Sequence, residues 1–315
     1  MDETPDIPTE LEYQAALARG LLPIREVARR TGVNPVTLRA WERRYGLIVP
    51  LRTSKGHRLY AEDEVARIQL ILTWLNRGVA VGQVKGLLKA KRPTIEAESE
   101  PDSLWDNQRR QLLNAIGALS ERQLDERFNS AMALYPPRTL YRQLLQPLLA
   151  ELELRWRCQF GAQVERVFLY SWLRSRLGTR LYHNNRQCTG APLLLINFSE
   201  LPMEPGLWLT AWLASSGDCP VEVFDWPVPP AELALAIARI EPRALLLYSS
   251  QTLSADGLPR LLNNSTCPIL LAGPAAAIHR EIVQAQNNDK LPPTCPDDPL
   301  AAVEALAELG LLHNR

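Results

Sequence analysis

Between Asn34 and Tyr60 the chain reads NPVTLRAWERRYGLIVPLRTSKGHRLY. Arg39, Arg43, Arg44, Arg52, Lys55, His57 and Arg58 are the cations and cation-capable groups of this stretch. Their chemistry is the neutralisation of phosphates, which releases counterions and gives affinity for a nucleic acid without regard to its sequence. Asn34, Val36, Thr37, Arg39 and Ala40 crowd the front of one predicted helix, the place from which side chains read base edges. Arg39 is the first choice for the anchoring contact.

Other chemistries find little support. His57, His183, His279 and His313 are scattered, and Cys158, Cys188, Cys219, Cys267 and Cys295 have no C-x-x-C spacing. Neither a zinc site nor a disulfide framework is indicated, and free thiols of this kind belong in a core. A Gly-rich phosphate loop, a nucleophile elbow and a paired catalytic histidine and carboxylate are all lacking, so no enzyme is expected.

The charge is unevenly placed. Of 35 basic and 35 acidic residues, Gly20 to Arg92 holds 15 Lys and Arg against 5 Asp and Glu, a net of +10, which leaves −10 for the remainder. A basic module on an acidic body suits polyanion binding under the control of a second part. The start, MDETPDIPTE, has neither the basic nor the apolar block of a signal peptide, and apolar runs such as Leu193 to Ile196 are too short to span a bilayer. A cytoplasmic protein without a membrane partner is expected.

Four segments must carry these groups. In residues 21–90, Ile24, Val27 and Ala28 have helical spacing, Thr31-Gly32 ends that helix, and Asn34-Pro35 caps the next. Leu38, Trp41 and Tyr45 form its inward stripe, and Ser54-Lys55-Gly56 turns between two short strands, which makes a winged helix-turn-helix. Helices over Glu62 to Trp74 and Val81 to Leu88 complete it. Residues 91–102 are polar, contain two prolines and read as a linker. Residues 103–187 predict a four-helix bundle: Leu104 to Leu119, Glu121 to Leu134, Arg138 to Phe160 and Ala162 to His183.

Residues 188–315 alternate strand and helix. The strands are expected at Leu193 to Ile196, Val221 to Phe224, Ala244 to Tyr248 and Ile269 to Ala272. The helices are expected at Leu207 to Ser215, Ala231 to Ile240, Gly257 to Asn263 and Ala275 to Gln284. That is a doubly wound, flavodoxin-like parallel sheet, so the chain as a whole is multidomain, α and α/β.

On the motif TLRAWERRYGL followed by GHRLY, residues 22 to about 75 resemble the DNA-binding domain of the MerR family, in its light- and stress-regulator branch. The resemblance implies that Arg39 on the recognition helix and Arg58 and Tyr60 on the wing contact promoter DNA, with Trp41 in the core. Many members of the family pair through a long helix that follows directly. Here no apolar heptads continue past Leu88, so self-association into a homo-oligomer falls to the C-terminal body.

The bundle and the α/β segment together resemble cobalamin-binding photoreceptor regulators and their cobalamin-free relatives, most specifically over LLAELELRWRCQFGAQVERVFLYSWLRSRL. In the binding members a Trp is followed after nine residues by Glu-His over the upper ligand. Trp156 is present, but Arg166 and Val167 stand at those places. The lower ligand comes from Asp-x-His-x-x-Gly, where this chain has Leu201-Pro202-Met203-Glu204-Pro205-Gly206, without the aspartate or the imidazole. Ser250, with Ser249 and Thr252, falls where such a domain meets the cofactor tail, and these hydroxyls suit either a ligand crevice or helix capping. Trp208, Trp212 and Trp226 could fill the volume of a corrinoid or pack the core.

The expectation is therefore a sequence-specific transcription regulator with no cofactor, whose C-terminal body self-associates and responds to a regulatory protein. The alternative is a small-molecule or cobalamin sensor with a pocket between bundle and α/β domain.

Overall fold

A computed structural model of the chain describes residues 9–89, 101–157, 160–199, 201–252, 267–276, 278 and 295–312. These residues fall into two units, Met1–Phe160 and Gly161–Arg315.

In the first unit, α1 (Thr9–Ala18) precedes β1 (Leu22–Pro23) and α2 (Ile24–Thr31), whose end is set by Gly32 in the left-handed region at φ 69°. The Asn34 side chain accepts from the Thr37 amide at 2.9 Å and Pro35 occupies the first turn of α3 (Pro35–Ala40). Such a cap is worth about 1 kcal/mol. The helix continues into a wider π turn, Trp41–Tyr45, and Gly46 at φ 54° reverses the chain. Strands β2 (Leu51–Arg52) and β3 (Arg58–Tyr60) make the expected wing, with Leu51 opposite Leu59 and Arg52 opposite Arg58. A third strand was not foreseen: β1 pairs on the other edge of β3, Leu22 against Tyr60 and Pro23 against Leu59. Then come α4 (Glu62–Asn76) and α5 (Val81–Lys89).

Residues 90–100, most of the expected linker, lie outside the described set, and helix α6 (Pro101–Gly117) already begins at Pro101. It packs on α7 (Glu121–Leu134). The helix expected over Arg138 to Phe160 runs without a gap from Pro137 to Trp156, as α8 (Pro137–Leu140), a π turn over Tyr141–Leu145, and α9 (Gln146–Trp156). Pro147 has no N–H to offer the preceding turn, and that turn is the one that widens.

The second unit opens with α10 (Ala162–Asn185), expected as the last helix of the bundle. It packs on α11 (Pro205–Ser215), which carries no charge and is buried on every side from Gly206 onward. Four parallel strands follow the expected boundaries to within a residue: β4 (Leu193–Asn197), β5 (Val221–Phe224), β6 (Ala244–Tyr248) and β7 (Ile269–Ala272). Their order is β5-β4-β6-β7, with Leu195 level with Val223 on one side and Leu246 on the other. Strands β4, β6 and β7 are near-continuous Leu and Ile, buried throughout, because a parallel sheet is covered on both faces, whereas edge strand β5 reads VEVF and exposes Glu222. One face meets α12 (Pro230–Ile240), where Leu233 and Ile237 join Leu194, Ile196, Leu245 and Leu247 in the core. Helix α13 (Pro299–Glu308), capped by Asp298 and not foreseen, packs on α11. Of the two helices expected between β6 and α13, Gly257 to Asn263 lies outside the described residues, as does most of Ala275 to Gln284; Ala275 and Ala276 form a turn.

Candidate nucleic-acid interface

The recognition helix presents Val36, Arg39 and Arg43 along one exposed stripe at i, i+3 and i+7, with Arg44 exposed beside it. Its opposite face is core: Leu38 and Trp41 are fully buried, as expected. The wing adds Arg52, Lys55 and His57, all exposed. Its tip is a closed turn in which Gly56, at φ 80°, donates its amide to the Thr53 carbonyl at 2.8 Å, and the Thr53 hydroxyl accepts from the His57 amide at 3.1 Å. The His57 ring lies against that of Tyr13 on α1, centroids 5.8 Å apart.

Helix and wing are joined by a carboxylate. Glu42 accepts from Arg58 Nε and Arg52 Nη2, each at 2.5 Å. Burial works to raise the Glu42 pKa, yet the hydrogen bonds from Arg58 and Arg52 hold it below the ordinary value. Arg58 is correspondingly raised, chiefly by its hydrogen bond to Glu42. This clamp was missed in the sequence, although a lone acid set among six cations within 20 residues was the signal for it.

Two expected contact residues are corrected. Thr37 and Tyr60 are both 0% exposed. Thr37 points inward because it follows the capping residue by three and so shares a helix face with the core, while Tyr60 ends the central strand of the small sheet. Burial pushes the Tyr60 phenol up to about 12, so it stays neutral and inside. Asn34 is half-buried and its carbonyl oxygen is spent on the cap.

The reading helix is also tied to the helices behind it. Trp41 Nε1 donates to the Leu134 carbonyl at 2.9 Å, at the end of α7. Trp105 Nε1 donates to the Gly78 carbonyl at 2.8 Å, and Thr139 Oγ1 to Asn76 Oδ1 at 2.8 Å.

In the second unit, the carboxyl ends of β4 and β6 meet the expected ligand positions. The buried carboxylate of Glu204 accepts from both the Ser250 amide at 3.1 Å and the Ser250 hydroxyl at 2.6 Å. Ser249 Oγ donates to the Gln251 carbonyl at 2.7 Å, so both hydroxyls serve the chain itself, the capping-type use. Asn197 Nδ2 reaches the carbonyls of Leu201 and Asp225 at 2.8 and 2.9 Å and ties down the loops after β4 and β5. A methyl on Gly206 would stand 1.9 Å from the Tyr248 hydroxyl, which means that Tyr248 lies directly on the start of α11. Met203 is half-buried; Arg166 is half-buried and Val167 exposed on α10; Trp156 is buried in the first unit. Trp212 is core, Trp208 is buried beside Gly178, and Trp226 is 64% exposed, which corrects the idea that all three fill an interior volume. Cys219, Cys267 and Cys295 are buried free thiols and Cys188 is half-buried; Cys158 lies outside the described residues. Among the described residues no three His, Cys, Asp or Glu gather as a metal site, and no helix is long and apolar enough to cross a membrane.

Comparison with known proteins agrees with the geometry. Residues 22–91 match the family model described as MerR HTH family regulatory protein, and residues 108–180 match one described as B12 binding domain. The HTH-type transcriptional regulator MlrA of Salmonella typhimurium is 32% identical over 204 residues, covering 65% of this chain and 79% of that protein. The chain belongs to the MerR family. It is also similar to the HTH-type transcriptional repressor CarH of Myxococcus xanthus, 26% identical over 287 residues, covering 83% of this chain and 91% of the relative. A cobalamin-binding protein from Desulfitobacterium hafniense is 13% identical, with a TM-score of 0.33 over 65% of this chain and 97% of its own. This MerR-family chain is a DNA-binding transcription regulator with a helical and α/β body, and both of these curated relatives are named as transcription regulators.

Proposed function

We infer that Arg39, Arg43, Arg44, Arg52, Lys55, His57 and Arg58 form the DNA surface, that two copies joined through the C-terminal body read two half-sites, and that the regulator works without cobalamin and without catalysis. The exposed stripe and the wing cations support the first part, since a helix of this kind enters the major groove while a wing follows the backbone. Regulation falls to a protein that binds the body and changes how the two recognition helices are spaced.

One observation carries the cofactor reading: Glu204 is bonded to Ser250, and Tyr248 lies on Gly206. These groups stand where a doubly wound domain receives a ligand, at the carboxyl ends of the central strands. A thioether at 203 replaces imidazole, and the hydroxyls expected to greet a cofactor tail are already engaged. The residues present do not fit a cobalamin held through an imidazole below and a nucleotide tail among hydroxyls.

The test is promoter binding by cofactor-free protein across a salt series, with and without added cobalamin, followed by an absorption spectrum after gel filtration. Tight binding to a paired site, steeply weakened by salt and unchanged by cobalamin, is expected. Retained colour with altered DNA affinity would overturn the cofactor reading, and a monomer on DNA would overturn the pairing.

A further inference from the structure

Among the described residues 34–40, only Val36 and Arg39 are exposed, Val36 at 60%. Their neighbours on the front of the recognition helix are withdrawn. Thr37 is buried, Ala40 is half-buried, and the Asn34 side-chain oxygen accepts from the Thr37 amide.

A lone exposed valine needs no explanation on most of a protein surface. This one stands two residues after the cap and begins the row that continues with Arg39 and Arg43, so it shares the face that carries the guanidinium groups. Valine has neither a donor nor an acceptor in its side chain, and on a base edge it can make only an apolar contact. Among the edges displayed in the major groove, the 5-methyl of thymine is the group that offers one. A branched β-carbon in a helix also holds the side chain in one rotamer, so the two methyls of Val36 are in place before DNA arrives and little entropy is lost on contact. Given the DNA surface inferred for this helix, we propose that Val36 reads the 5-methyl of an operator thymine and sets the preference for that base over cytosine, adenine and guanine.

The division of labour along the row then follows from chemistry. Arg39 and Arg43 supply charge, which attracts any duplex, whereas Val36 supplies a contact that one base pair alone can satisfy.

The test begins with selection of duplexes from a randomised library by the full chain, which yields an enriched site without knowledge of the promoter. Each thymine of that site is then replaced in turn by deoxyuridine, which removes the 5-methyl and leaves every hydrogen-bonding group unchanged. Fluorescence anisotropy should find one thymine for each bound recognition helix whose replacement weakens binding by about fourfold, the scale of one buried methyl-sized group. Val36→Ser should bind the thymine and deoxyuridine duplexes equally, and Val36→Ile should keep the difference. Lys55→Ala, on the wing, should weaken both duplexes alike and keep the difference as well. Positions 36 and 55 are both exposed, so the substitutions spare the core, and circular dichroism confirms the fold. An enriched site with no thymine sensitive to deoxyuridine would overturn the contact and leave the DNA surface standing, as would a difference that persists in Val36→Ser. Failure to enrich any sequence would remove the base-reading surface itself, and the contact with it.

Discussion

Glu42, on the π turn after the recognition helix, holds Arg58 on the central strand of the wing at 2.5 Å, and the two side chains are only 14% and 18% exposed. The same carboxylate takes Arg52, so helix and wing are set at a fixed distance by one acid. The acid also draws on charge that DNA would otherwise use.

Replacing Glu42 with Gln therefore has two effects of opposite sense. The loss of charge-assisted bonds lowers stability by about 1–2 kcal/mol, read as a shift of the urea midpoint. The freed guanidinium groups raise non-specific DNA affinity at low salt and steepen the salt dependence. A variant with unchanged midpoint and unchanged salt slope would contradict the clamp.

Arg39→Ala should reduce the salt slope of promoter binding by about one if the residue meets a phosphate. If it meets a base, the loss is about 1–3 kcal/mol at one operator position and is absent on non-specific DNA. Fluorescence anisotropy on specific and scrambled duplexes separates these outcomes, and no effect on either would remove Arg39 from the surface.

Acid should loosen the N-terminal unit in a defined window. Hydrogen bonds from Arg29 and Arg30 hold Glu26 down to about 2, against an ordinary 4.5, and Glu42 is lowered as well. A carboxyl whose folded pKa is depressed contributes stability that is complete above its unfolded value and is lost as pH falls through the folded one. Unfolding midpoints should thus decline from about pH 4.5 downward, and Glu26→Gln should flatten that decline. Because Glu26 is a surface group, its share is small.

Gly206→Ala should destabilise the second unit by about 1–3 kcal/mol, because the added methyl meets the Tyr248 hydroxyl at 1.9 Å in a packed interior. Gly32→Ala meets open space, and its cost comes only from a left-handed φ of 69°, about 1 kcal/mol. Thermal melts of the two variants should fall in that order.

Strands β4, β6 and β7 were legible as short runs of Leu and Ile between turn residues, the pattern of a sheet buried on both faces, and β5 as a short Val-Glu-Val-Phe segment of β-branched and aromatic residues. The recognition helix was legible from Asn34-Pro35 and the Leu38, Trp41, Tyr45 stripe. Strand β1 was not, since two residues ending in proline carry no strand pattern, and its partner Tyr60 lies far along the chain. Nor was the inward turn of Thr37 and Tyr60, because a polar side chain next to exposed cations reads as exposed until its neighbours in space are known. Helix α10 carries a stripe of Leu169, Leu173, Leu177 and Leu181 that suits a bundle as well as a layer over α11, on which it packs.

That character of α11 bears on how the molecule can be cut. A helix with no polar face needs a cover everywhere, and α10 is part of that cover. A fragment begun at Cys188 would lay a greasy cylinder open to water and would precipitate or pair indiscriminately, whereas one begun at Gly161 carries its own lid. The smallest portable piece of the body is therefore longer than its sheet.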